Sequence, residues 1–72
     1  MNDSAVVAVW EDVLGQKGAS MNDDFFESGG TSIQLLKLLH EVQSQFSVTI
    51  DFNEFYLAPT LERFVQLVRE KQ

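Results

Sequence analysis

A chain of 72 residues without a single cysteine has few ways to hold itself together. Disulfides and cysteine-based zinc sites are excluded, and a lone histidine excludes a histidine-rich metal site. A domain this small buries a marginal core and normally relies on such staples. Stability has to come from packed helices, and the apolar residues recur at helical spacing. Val6, Val9, Trp10, Val13 and Leu14 share one face of residues 4–14, with Glu11 and Asp12 opposite. Asp3 or Ser4 is a suitable cap for this first helix, and Gly15 a suitable stop.

Residues 15–31 carry no sustained helical pattern, and a loop this long in so small a domain calls for a function. Met21, Phe25 and Phe26 are core-filling residues that pin the loop across the bundle. A second helix is expected over residues 32–46, with Thr31-x-x-Gln34 as a capping box that makes Thr31 the N-cap. Leu35, Leu38, Leu39, Val42 and Phe46 fall within an arc of roughly 100°, the width of a core stripe. Ile33 and Leu36 fall on the opposite face with Lys37, His40 and Ser44, an apolar pair that hints at a partner surface. A short third helix over residues 52–57 starts at the capping box Asp51-x-x-Glu54 and is anchored by Phe52, Phe55 and Tyr56. After Pro59, Thr60 caps the last helix, whose core stripe is Leu61, Phe64, Val65 and Val68. Val48, Thr49 and Ile50 have strand-like composition, but three residues without a partner do not make a sheet. The fold class is all-α: a small four-helix bundle, three main helices and a short third one, with a long loop between the first two. One domain is expected over residues 1–72.

Eleven acidic against five basic residues give a net charge of −6. Nucleic-acid binding, which needs a basic footprint, is not expected. No apolar run approaches membrane-spanning length, and the acidic N-terminal segment lacks a signal-peptide pattern, so no membrane association is expected and the cytoplasm is the default. Asn2-Asp3-Ser4 matches a glycosylation sequon and is read as chance in that setting. Nothing suggests a coiled coil, and a monomer is expected.

The run Phe25-Phe26-Glu27-Ser28-Gly29-Gly30-Thr31-Ser32-Ile33 leads from loop to helix. Glycines allow close approaches that a side chain would forbid, and Ser32 stands at the first helical position with its hydroxyl facing outward. One displayed serine on so small a chain suits a platform for covalent attachment. A self-sufficient enzyme is disfavoured, because one histidine and no cysteine leave no convergent catalytic set. Asp23, Asp24 and Glu27 lack the spacing of a calcium loop, and Gly29-Gly30 is followed by no Gly-Lys-Ser/Thr. A surface position is expected for His40.

Taken as a whole, Asp24-Phe25-Phe26-Glu27-Ser28-Gly29-Gly30-Thr31-Ser32-Ile33 resembles the signature of acyl and peptidyl carrier proteins. There an aromatic pair precedes Gly-Gly, one variable residue, the modified serine and then Leu or Ile. Ile50, Phe52, Phe55-Tyr56 and Pro59-Thr60-Leu61 resemble the family's short third helix and the start of its last. The family usually has Asp or His before the serine, where this chain has Thr31. Gly-Gly and Lys37 are more similar to peptidyl carriers of nonribosomal synthesis than to fatty-acid carriers. Polyketide, aryl or D-alanyl carriers are the near alternatives, and a noncovalent helical interaction module the distant one.

The resemblance implies that Ser32 receives 4′-phosphopantetheine from coenzyme A through a separate, typically Mg²⁺-dependent phosphopantetheinyl transferase. Gly29, Gly30 and Thr31 would flank the attachment point. Ile33, Leu36, Lys37 and His40 would form the partner face, extended by Met21 and Phe25 from the loop. Implied partners are the transferase, an adenylation or acyl-loading enzyme, and condensation, thioesterase or tailoring domains.

Overall fold

Residues 3–72 are described by a computed structural model of the chain; residues 1 and 2, and with them Asn2 of the sequon, lie outside the described residues. Four helices follow one another: α1 (Asp3–Leu14), α2 (Ser32–Phe46), α3 (Phe52–Tyr56) and α4 (Leu61–Lys71). α1 packs against both α2 and α4, and α3 lies on α4. Among the described residues the one β-type contact is an isolated bridge between Asp24 and Thr60. The all-α expectation holds, and no described helix is long and apolar enough to cross a membrane.

The core is built where the helical spacing puts it. Val6, Val9 and Trp10 of α1 meet Leu35, Leu38, Leu39 and Val42 of α2 and Leu61, Phe64, Val65 and Val68 of α4. Trp10 is the hub of an aromatic cluster. Its ring stands edge-on to Phe25 at 5.4 Å and to Phe55 at 6.2 Å, and tilted against Phe64 at 5.9 Å. Such edge-to-face pairs add to the burial of the rings themselves. Leu67 is fully buried as well, although the stripe read from the sequence omitted it. α4 is covered from more than one side, by α1 and α3, so its apolar face is wider than a single stripe.

Other expectations are corrected by packing. Asp3 and Ser4 lie inside α1 rather than ahead of it, and the Asp3 carboxylate pairs with Arg69 near the end of α4. α3 ends at Tyr56, one residue short of the expected 57. Tyr56, expected as an anchor, is exposed, while Phe55 carries the burial. Met21 does not pin the loop; it is exposed, and Phe25 with the partly buried Phe26 and Ala19 does the pinning. Val48 and Ile50 are buried without forming a strand, with Thr49 between them exposed.

The long loop is held near its start and at its middle by hydrogen bonds. Glu11 Oε2 accepts from the N–H groups of Gly18 and Ala19 at 2.8 and 3.0 Å. Midway along, the loop meets the start of α4. Phe25 N–H donates to Pro59 O at 2.7 Å, Leu61 N–H to Asp23 O at 3.0 Å, and Glu62 N–H to Met21 O at 3.0 Å. Thr60 Oγ1 accepts from Arg63 N–H at 3.2 Å. The leading N–H groups of α4, which no helix can satisfy by itself, are thus all paired.

Candidate functional site

The turn before α2 is shaped by two glycines that serve different needs. Gly29 has φ +96°, a left-handed conformation that costs a side-chain-bearing residue. Gly30 is required by contact. A Cβ there would lie 2.5 Å from Phe25 Cδ2, closer still to Cε2, and 2.8 Å from the Phe25 carbonyl oxygen. The chain therefore runs directly over the buried Phe25 ring.

Hydrogen bonds fix each peptide of this turn. Ser28 N–H donates to Asp24 O, Gly29 N–H to Phe26 O and Gly30 N–H to Phe25 O, at 2.9, 3.0 and 3.0 Å. Thr31 N–H donates to Gln34 Oε1 at 2.9 Å, and Gln34 N–H returns to Thr31 Oγ1 at 3.2 Å. This is the reciprocal capping box the sequence predicts. Ser32 follows as the first helical residue, exposed, and its hydroxyl has no hydrogen-bond partner among the described residues. The N–H groups of Ser32 and Ile33 are likewise unpaired within the described chain, unlike the leading N–H groups of α4. No acidic side chain occupies the first turn of α2, whereas Glu62 does so in α4. The positive end of α2 is thereby left open beside the Ser32 hydroxyl, a setting that favours a phosphate group.

The residues expected around Ser32 divide by burial. Ile33 is 80% exposed and Leu36 56%, and Lys37 and His40 are exposed on the same helix. Met21 is 41% exposed in the loop. Phe25 is 0% exposed, locked among Trp10, Phe26 and Phe55, so its place on a partner face is withdrawn: it supports the turn from beneath. Leu57 at 85% and Tyr56 at 51% are exposed apolar residues that the sequence reading did not place on a surface. Tyr56 stacks on Phe52 and meets Phe26 edge-on at 5.7 Å, which joins the flank of α3 to the loop. Position alone could have exposed Tyr56, since in a helix it points about 100° away from the buried Phe55. No cluster of metal-ligating side chains exists among the described residues.

Comparison with known proteins agrees with this geometry. The family described as "Phosphopantetheine attachment site" matches residues 4–68. The chain is 39% identical over 70 residues, 94% of its length, to N-(5-amino-5-carboxypentanoyl)-L-cysteinyl-D-valine synthase of Penicillium rubens. It is 30% identical over 70 residues, 97% of its length, to tyrocidine synthase 2 of Brevibacillus parabrevis. It spans 2% of the length of each of these synthases. Among solved structures, a chain from the complex of the phosphopantetheine transferase Sfp with coenzyme A and a peptidyl carrier protein superposes with TM-score 0.88 at 26% identity. That match covers 97% of this chain and 94% of the other. A prototype peptidyl carrier domain of modular peptide synthetases gives TM-score 0.80 at 28% identity, covering 96% and 93%. With a match running from the first helix into the last and neighbours that superpose over nearly the whole chain, the chain belongs to the phosphopantetheine attachment site family and has the fold and role of a carrier domain.

Proposed function

We propose that Ser32 is the attachment residue and that the chain serves as a peptidyl carrier in a nonribosomal-peptide assembly line. One observation carries the site assignment: Ser32 stands exposed at the first turn of α2 with its hydroxyl unpaired, because Thr31 has taken over the capping. The Ser32 hydroxyl attacks the pantetheine-side phosphorus of coenzyme A. A serine–phosphate bond forms, the phosphate–phosphate linkage breaks, and the nucleotide leaves with its remaining phosphates. Among the described residues no titratable group is hydrogen-bonded to the hydroxyl, so a separate transferase supplies the base that takes its proton. The unpaired N–H groups of Ser32 and Ile33 would hold the attached phosphate. When bound, the arm supplies a terminal thiol for an aminoacyl or acyl thioester.

Ile33 and Leu36, with Lys37 and His40, form the face that meets the transferase and an adenylation enzyme; Met21 borders it. Neighbours solved with a phosphopantetheine transferase and as an A-PCP pair support these two kinds of partner, and the exposure of Ile33 and Leu36 supports the face. Contacts that several enzymes use in turn have to be small.

Intact-mass spectrometry after incubation with coenzyme A, Mg²⁺ and a broad-specificity phosphopantetheinyl transferase tests the assignment. The parent is expected to gain one phosphopantetheine and Ser32→Ala none. A folded parent that gains nothing, or a Ser32→Ala variant that still gains the arm, overturns it.

A further inference from the structure

The turn that presents Ser32 is tied to the end of α1 at two points, both through glutamine side chains. Gln16 Nε2 donates to Ser28 O at 2.6 Å, holding the residue just before Gly29. Gln34 Nε2 donates to Val13 O at 3.4 Å, while its Oε1 accepts from Thr31 N–H at 2.9 Å. Gln34 therefore bonds a carbonyl in the last turn of α1, which the helix leaves unsatisfied, and an N–H at the start of α2. Gln16 is itself placed by its backbone, whose N–H donates to Glu11 O at 3.1 Å.

Between these two points the turn is held within the loop, by Gly29 N–H to Phe26 O and Gly30 N–H to Phe25 O, both at 3.0 Å, and Gly30 rests on the Phe25 ring. A ring beneath a glycine resists approach but does not oppose sliding along its face. The backbone bonds fix the turn's own shape, and the two amide side chains fix that turn relative to α1. A serine hydroxyl that must meet a phosphorus within a partner's active site gains rate from being held in one orientation.

We infer that Gln16 and Gln34 form a two-point clamp that positions Ser32 for attachment, as positioning residues that touch neither coenzyme A nor the transferase. The inference rests on Ser32 being the attachment residue. Removing the clamp lets residues 28–32 shift over the Phe25 ring and leaves the partner face of α2 intact. The cost falls on kcat of the transferase and not on KM.

The test compares the parent with Gln16→Ala, Gln34→Ala and Gln34→Glu as transferase substrates at saturating coenzyme A, with melting curves and amide exchange at residues 28–33. Expected are faster exchange at Gly30 and Thr31, whose N–H groups are bonded in the parent, and a fall in kcat of about threefold to tenfold for each alanine variant, with KM within about twofold. Gln34→Glu keeps the acceptor for Thr31 N–H and loses the donor to Val13 O, so it recovers part of kcat. Gln16 is exposed and outside every helix, so Gln16→Ala keeps the test decisive if Gln34→Ala unfolds. Lower melting temperatures with unchanged kcat overturn the clamp, as does a rise confined to KM. A parent that gains no arm overturns the attachment reading and this inference with it.

Discussion

Thr31 and Ser32 are adjacent small hydroxyl residues at a helix start, and the structure gives them separate tasks. Thr31 has extended backbone angles, φ −107° and ψ 168°, and its side chain accepts the Gln34 N–H. Ser32 is already helical and makes no such bond. In the unmodified protein, Thr31→Ala is expected to cost about 1 kcal/mol, the usual value of a lost cap. Ser32→Ala should stay within about 0.5 kcal/mol, as exposed substitutions do. Urea unfolding of both variants checks this; equal losses would mean that Ser32 shares the capping. This division was legible in the sequence, because a capping box is a local pattern. The roles of Gly29 and Gly30 were not. Which glycine answers to backbone angle and which to contact depends on where the Phe25 ring lies. Nor could adjacency in an aperiodic loop decide that Phe25 faces inward while Met21 faces out.

At the scale of elements, the sequence showed helices wherever apolar spacing and caps coincide. What it hid is the dependence of one element on a distant one. The first two N–H groups of α4 are satisfied by Asp23 and Met21 carbonyls some forty residues earlier, and carbonyls carry no sequence signature. A second such link joins α3 to α4. Lys71 Nζ lies 3.2 Å from Glu54 Oε1, and that oxygen also accepts from Asp51 N–H at 3.2 Å. The hydrogen bond from Lys71, then that from the Asp51 backbone, hold the Glu54 carboxyl below its ordinary value of 4.5. A carboxyl whose folded pKa lies below its unfolded value stabilises the fold fully above the unfolded value. That contribution is lost as pH falls through the folded value. Lys71→Met removes the leading cause and should lose less of its urea midpoint than the parent between about pH 6 and about pH 3. Equal losses would assign the acid sensitivity to other carboxylates.

For the whole molecule, the missing staples are replaced by aromatic rings drawn from four separate segments. Trp10 comes from α1, Phe25 from the loop, Phe55 from α3 and Phe64 from α4, and each is fully or almost fully buried. Phe25 thus belongs to the core and to the site at once, since its ring is the surface on which Gly30 rests. A chain of this length has a total stability of about 4–11 kcal/mol. Phe25→Ala, at about 3–5 kcal/mol, removes a large share of it. Its amide exchange at residues 29–31 should accelerate beyond the global loss, because the turn has lost its floor. Leu36→Ala tests the outer surface by the opposite pattern. Its side chain is more than half exposed, so the melting curve should stay close to the parent's while KM for the transferase rises severalfold. A Leu36→Ala variant with parental KM would move the docking face elsewhere, and the exposed Tyr56 and Leu57 of the α3 end are the next residues to substitute. The two outcomes together separate the ring that holds the turn in place from the leucine proposed to meet a partner.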